Sequence, residues 1–380
     1  MTFKFAAACC AGALLCLVSP PGHAQVGVGP TLDPAFCNQK TFRETVVYID
    51  DMSLIDGKTD WAQKLSTKLA GSLTPGEQVS LVQLSPASGE AKAVWSGCWP
   101  DYTAEQRAEI SKQNYVFSKN PLDGLKEQQS LFQGYFAQSL TKIYTDGKRA
   151  AGQVRFVPEN APKKQILRSI ASDDGRYSAS QKTIRAIVYS DMMENSDLGS
   201  VYDPLPDKFP NYGERLGSRL RRSVFYAFGV AGDVDGAGSL PEKARAFWSR
   251  AFEMMSATTG GFGSDLVVEN RVPVSGVQFD LRTTMGDEKL EGKMSILVDR
   301  DGSLVDSWIG FDRLSIVSLT GKFKCEADAC ALDGATTKGL VTKNDSDAVA
   351  LAGRSTDLSG QIGVKSTKQL FDLKATAPRT

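Results

Sequence analysis

Three stretches of the chain are nearly continuous runs of strand-forming residues, and two of them run straight into aspartate. Residues 45–50 (TVVYID) lead into Asp51, Met52 and Ser53. Residues 183–191 (TIRAIVYSD) lead into Met192, Met193 and Glu194, and the third run is 223–230 (SVFYAFGV). Strands apolar on both faces belong in a sheet covered by helices on each side, which is the environment of parallel strands. Their carboxyl ends share one edge of such a sheet, so acids distant in sequence are expected to meet there.

Helical segments lie between these runs. Asp60 reads as an N-cap with Gln63 three residues on, and Trp61, Leu65 and Leu69 form the apolar stripe of the helix that follows. Val79 to Leu84 and Ala91 to Trp95 read as strands joined by a turn at Pro86 to Gly89. Residues 102–144 look mainly helical, with Leu125, Phe132, Phe136, Leu140 and Ile143 on one face. A short helix carrying Ile166, Leu167 and Ile170 follows Pro158 and Pro162. Ser239 and Glu242 read as a capping box with Pro241 in the first turn, opening a helix that buries Ala244, Phe247, Trp248, Ala251, Phe252 and Met255. Gly260-Gly261 is expected to close it.

Beyond about residue 265 the helical period disappears. Short alternating segments are separated by Gly, Asp and Ser turns, with Asp301-Gly302 as a hairpin turn, which reads as an antiparallel sandwich or barrel. A short phrase recurs as Leu290-Glu291-Gly292-Lys293, Leu319-Thr320-Gly321-Lys322 and Leu358-Ser359-Gly360-Gln361. The unequal spacing excludes a solenoid and leaves either similar strand openings or chance recurrence. The expected organisation is a 1–24 signal segment, a 25–42 linker, a 43–265 α/β domain with a helical insertion at about 102–160, and a 266–380 β domain.

The first 24 residues supply Lys4, a short apolar core from Ala6 to Val18, a Pro20-Pro21-Gly22 break and a cleavage position before Gln25. Leu15 directly before Cys16 is the wrong size for lipid-anchor processing, and no later run is long enough to cross a bilayer as a helix. The expected product is exported, periplasmic or extracellular. It retains Cys37, Cys98, Cys325 and Cys330, for which Cys37–Cys98 and Cys325–Cys330 is the simplest of three possible pairings. With 44 basic and 44 acidic residues, no charge excess points to nucleic acid or an anionic membrane.

The aspartate-ended strands resemble the von Willebrand factor A-type domain, in which the first strand ends in Asp-x-Ser-x-Ser and the fourth in a further Asp. The Cys98-Trp99-Pro100 phrase is similar to that of exported bacterial versions. The resemblance implies a Rossmann-like three-layer α/β sandwich, a Mg²⁺ site, and protein or surface-ligand binding at the strand-end face. By it, Asp51, Ser53 and Asp191 match metal ligands, and Asp50, Asp51, Asp191, Glu194 and Asp197 line the partner-binding face. Two departures make the metal motif degenerate. Ile55 stands where the second serine belongs, and no Thr or Ser opens the helix after Pro162, where only Asn160 is near. The residues accordingly support either a Mg²⁺ site or no cofactor at all, with polar strand ends that cap backbone donors.

The sole histidine, His23, falls in the signal segment, which excludes Ser–His–Asp, Cys–His and His-ligated zinc chemistry from the rest. No nucleophile elbow, Walker loop or redox C-x-x-C is present. The glycines of 229–238 read as a loop, Asp299 to Gly302 as a hairpin turn, and the Arg215 to Arg222 cluster as a solvated helix end. The expected function is a non-catalytic binding, adhesion or envelope-assembly module. A Mg-dependent adhesin and a hydrolase working through Asp51 and Asp191 are the alternatives.

Overall fold

A computed structural model describes residues 31–54, 59–115, 119–150, 163–230, 238–268, 271–312, 314, 316–340, 345–364 and 368–378. The signal segment, the 25–30 part of the linker, Ile55, Asn160 and the 231–237 part of the glycine loop lie outside the described residues.

The α/β part is a six-stranded sheet in the order β3-β2-β1-β4-β7-β8. These are β1 (Arg43–Asp50), β2 (Gln78–Ser85), β3 (Glu90–Cys98), β4 (Thr183–Tyr189), β7 (Ser223–Phe228) and β8 (Thr258–Phe262). All neighbours are parallel except β3, which returns on β2 as an antiparallel edge. A two-residue pair, β5 (Asn195–Ser196) and β6 (Gly199–Ser200), follows β4 outside this sheet. The order reverses between β1 and β4, which makes that boundary the topological switch point of a doubly wound fold.

Successive residues of β1 feed opposite layers, because strand side chains alternate. Val46 and Tyr48 join a core closed by α4 (Ile166–Ala171), α5 (Asp174–Ala179), α6 (Tyr212–Arg215) and α7 (Leu240–Met254). Val47 and Ile49 join the core closed by α1 (Asp60–Ala70) and α3 (Leu125–Ala150). The short α2 (Ala104–Lys112) buries no residue and is held by a capping box between Thr103 and Gln106. The three-layer, Rossmann-like reading of this part therefore stands.

The expected caps do not. The N-cap of α1 is Thr59, with Asp60 already the first helical residue, and neither Thr59 nor Ser239 makes a side-chain cap bond. Gly260-Gly261 does not end α7 either. That helix stops at Met254, Ser256 turns the chain at φ +61°, and both glycines lie inside β8. The Tyr226 ring lies over Gly260, where a Cβ would come within 2.4 Å of Cζ.

The β part is a closed eight-stranded antiparallel barrel, not a sandwich. Its strands are β9 (Ser275–Met285), β10 (Glu288–Val298), β11 (Trp308–Phe311), β12 (Val317–Glu326), β13 (Ala329–Thr336), β14 (Asp347–Arg354), β15 (Asp357–Val364) and β16 (Gln369–Thr376). They run up and down in sequence order, and β16 closes on β9 from Leu373↔Thr283 to Thr376↔Asp280. Gly302 turns at φ +76°, but Leu304 returns only as a single bridge to Val298.

The recurring Leu-x-Gly phrase acquires a cause here. Leu290, Leu319 and Leu358 all point into the barrel core. Two residues on, a Cβ on Gly292, Gly321 or Gly360 would stand 2.2, 2.3 or 2.0 Å from a backbone oxygen of the adjacent strand. Closing a small barrel needs strands that coil sharply, and glycine is what permits the approach.

Both favoured disulfides are present. Cys37–Cys98 ties the 3₁₀ turn Pro34–Asn38 to the end of β3, and Cys325–Cys330 crosses the β12–β13 hairpin. Among the described residues no helix is long and apolar enough to cross a membrane.

The barrel is seated on the amino edge of the parallel strands. Arg43, opening β1, reaches Asp306 on the β10–β11 connection at 2.6 Å and Glu77 at 2.9 Å. Arg185 of β4 adds a 3.4 Å contact to Glu77, and Tyr226 of β7 donates to Asp306. Thr183 and Ser295 share a hydroxyl–hydroxyl bond of 2.8 Å, and Trp308 of the barrel packs into the α/β core.

Candidate strand-end site

The opposite, carboxyl edge carries the acids that the sequence singled out. β1 ends in Asp50, whose side chain accepts from the Met52 amide at 2.9 Å and starts the 3₁₀ turn Asp51–Ser53. That turn brings the Ser53 hydroxyl back to Asp50 at 2.8 Å. β4 ends at Tyr189, and Ser190 donates to the same Asp50 oxygen at 2.6 Å. Asp191 follows, its amide bonded to Ser53 Oγ at 3.0 Å and its carboxylate accepting from the Met193 amide at 2.9 Å. Met192 between them sits at φ +59°, its carbonyl accepting from the Trp248 indole of α7 at 2.7 Å.

At the centre of this arrangement stands Lys164. Its ammonium lies 2.7 Å from Asp50 Oδ2, 2.7 Å from Asp191 Oδ1 and 3.0 Å from Ser53 Oγ. An ammonium has three protons to donate, and here there are three oxygens to take them. The side chain is 1% exposed. Burial disfavours the charged amine, but the adjacent Asp191 and Asp50 outweigh it and raise the Lys164 pKa, so the group is an ammonium at any physiological pH. Its backbone is fixed independently: Lys164 and Asn195 exchange two 2.9 Å bonds, and the Gln165 amide donates to Pro86 O at 2.9 Å.

The structure therefore joins Ser53 and Asp191 as expected, but the β1 acid that faces them is Asp50. Asp51 turns aside to accept from Gln83 at 3.0 Å and Ser85 at 2.7 Å, so the expected side-by-side placement of Asp51 and Asp191 is replaced by a link through Lys164 to Asp50. Burial raises the Asp51 carboxyl, with Ser85 and Gln83 opposing it.

Of the five acids expected to face a partner, Asp50, Asp51, Asp191 and Glu194 are buried. Only Asp197 is open, at 57%, where it pairs with Arg168 at 3.1 Å and Arg215 at 3.8 Å. Arg215 thus belongs to the rim of this edge.

Glu194 anchors α4, accepting from the Leu167 amide at 2.8 Å and from Ser196 at 2.6 Å. Burial pushes its carboxyl up to about 7, against an unfolded value of 4.5, while Ser196 and the α4 amides oppose the rise. The folded chain thus binds the extra proton between those values. This contribution to stability is complete below pH 4.5 and is lost as pH rises through 7. The interval corresponds to about 3 kcal/mol at most. Urea unfolding from pH 5 to 8 is expected to show this decline in the wild type and a flatter profile in Glu194→Gln.

A metal implied by the A-type resemblance does not fit these residues. Mg²⁺ wants six oxygens in near-octahedral array. Three of the converging oxygens already hold an ammonium, and the remaining nearby acid, Asp51, is committed to Gln83 and Ser85. Among the described residues no group of three or more His, Cys, Asp or Glu is arranged to hold a metal ion. Sequence reasoning missed Lys164. The signal was present in the segment NAPKKQILRS, where a hydroxyl was sought and a lysine stands instead.

Fold and site together define the class: a doubly wound, Rossmann-like α/β unit joined to a closed β-barrel and carrying a lysine at its strand-end site. No family model and no curated protein matches the chain. Among solved structures it is similar to the ArnB paralog VWA2 from Sulfolobus acidocaldarius, with TM-score 0.34 and 11% identity over 83% of this chain and 66% of that one. It is also similar to the human COPII-coat protein Sec24c, with TM-score 0.30 and 8% identity over 88% of this chain and 44% of that one. The chain thus spans less than two thirds of either, and the fold assignment rests on its own strand order.

Proposed function

We propose that this chain is an exported, non-catalytic protein-binding module, serving adhesion or envelope assembly, that engages another protein or a surface ligand through the carboxyl edge of its α/β unit. The observation that carries the reading is that the barrel covers the amino edge and, among the described residues, does not reach the switch-point edge where open α/β sheets bind their ligands. The buried polar groups there are bonded to one another, so the edge offers a rigid shape with little ordering left to do on binding. The two disulfides support an oxidising compartment, periplasmic or extracellular. The hydrolase alternative, which needs Asp51 and Asp191, draws no support from them, because Asp51 accepts from Gln83 and Ser85 and the buried Asp191 is paired with Lys164.

The test is capture from the native envelope by the immobilised chain. Asp197→Lys is expected to slow association about tenfold, as loss of a rim charge does. Lys374→Glu, on the barrel exterior, should leave capture unchanged. The opposite pattern would move the binding surface to the barrel.

A further inference from the structure

We infer that Lys164 is a permanent internal replacement for a divalent cation, and that the pocket it fills takes up Mg²⁺ or Mn²⁺ once its side chain is cut back. The inference rests on the proposed reading of this edge as the binding face and states that divalent cations do not regulate that face.

Three features carry it. First, the ammonium makes the connections a cation would make, joining the end of β1, the 3₁₀ turn and the end of β4 through Asp50, Ser53 and Asp191. Second, the charge count favours a cation of higher charge when the amine is absent. Asp50 and Asp191 carry two negative charges against one positive, and Ser53 and Ser190 add hydroxyl oxygens beside them. Those are hard oxygen donors, the set that Mg²⁺ and Mn²⁺ prefer, and the space vacated by the ammonium and its methylenes admits water to complete the shell. Third, the Lys164 backbone is held by Asn195, with Pro86 holding its neighbour Gln165, so truncating the side chain empties the pocket without releasing the segment.

Melting of the wild type and of Lys164→Ala is compared in EDTA, Mg²⁺ and Mn²⁺. The wild type is expected to melt at one temperature in all three. Lys164→Ala should melt well below it in EDTA and recover at least half of the loss in millimolar Mn²⁺. Lys164→Met, which refills the space with an apolar chain, should show the loss without the recovery.

If Lys164→Ala does not fold in EDTA, its refolding yield from urea in Mn²⁺ against EDTA is the readout. A wild-type melting shift with metal overturns the inference, as does a Lys164→Ala protein that neither melts nor refolds differently with Mn²⁺. Capture by the wild type reads the proposed function separately. Loss of the Asp197→Lys effect with the metal pattern intact rejects the binding face alone.

Discussion

Glu77→Gln is expected to destabilise the chain by about 3–5 kcal/mol, the cost of breaking a buried ionic group by removing one partner. Glu77 is wholly buried and accepts from Arg43 Nε at 3.0 Å, from the Thr74 amide at 2.9 Å, and from Thr45 and Thr74 hydroxyls. It is flanked by two buried guanidiniums, so the amide would leave Arg43 and Arg185 with Asp306 alone. Burial works against its charge, but Arg43 and Arg185 prevail and hold the carboxyl down to about 2, from 4.5. Arg185, lowered to about 10 by burial and by Arg43, remains charged at neutral pH.

The sign of the pH effect follows. A depressed carboxyl contributes stability that is present above pH 4.5 and is lost as pH falls toward 2, worth about 3 kcal/mol across that window. Urea unfolding at pH 7 measures the first effect. The same experiment at pH 4.5, 3.5 and 2.5 measures the second, which Glu77→Gln should abolish. A variant within about 0.5 kcal/mol of the wild type at pH 7, the usual range for an unremarkable surface change, would mean that the clasp between barrel and sheet is not energetically important.

The second large effect is expected from a single methyl group. Gly360→Ala places a Cβ 2.0 Å from the Ala350 carbonyl oxygen and 2.9 Å from Leu351 Cα, both backbone atoms of the paired strand. Neither can rotate away, so β15 must part from β14, at a cost of about 3 kcal/mol or more. Gly134→Ala is the control. Gly134 is exposed on α3 with nothing within 4 Å of the added methyl, and the change should stabilise by about 0.5–1 kcal/mol through helix entropy. Equal and small effects at both positions would remove the steric account of the Leu-x-Gly phrase.

Those glycines mark where sequence reasoning was legible and where it ended. β1, β4 and β7 were readable because they are buried on both faces, which forces an unbroken apolar run. α7 was readable because only one face of it meets the core, which forces the helical period. β8 was not readable. Its sequence, Thr-Thr-Gly-Gly-Phe, gives up side chains to let Tyr226 pass, and a strand without side chains looks like a helix stop.

The site divides the same way. Asp50, Ser53 and Asp191 were found because strand ends are visible in one dimension. Which of two consecutive aspartates turns inward was not visible, since it depends on the 3₁₀ turn that begins at Asp51. Lys164 escaped because a buried lysine is unremarkable in sequence until three acceptors, from the distant ends of β1 and β4, are seen to converge on it.

The seating of the barrel has a mechanical corollary. A partner held at the Asp197 rim and a load applied through the barrel pull on opposite tips of β1 and β4, lengthwise. Those two strands are zipped side by side from Arg43↔Thr183 to Ile49↔Tyr189, so tension would shear the whole ladder at once instead of peeling it rung by rung. The Lys164 bolt at one tip and the Arg43–Glu77–Arg185 clasp at the other then act as end stops against sliding.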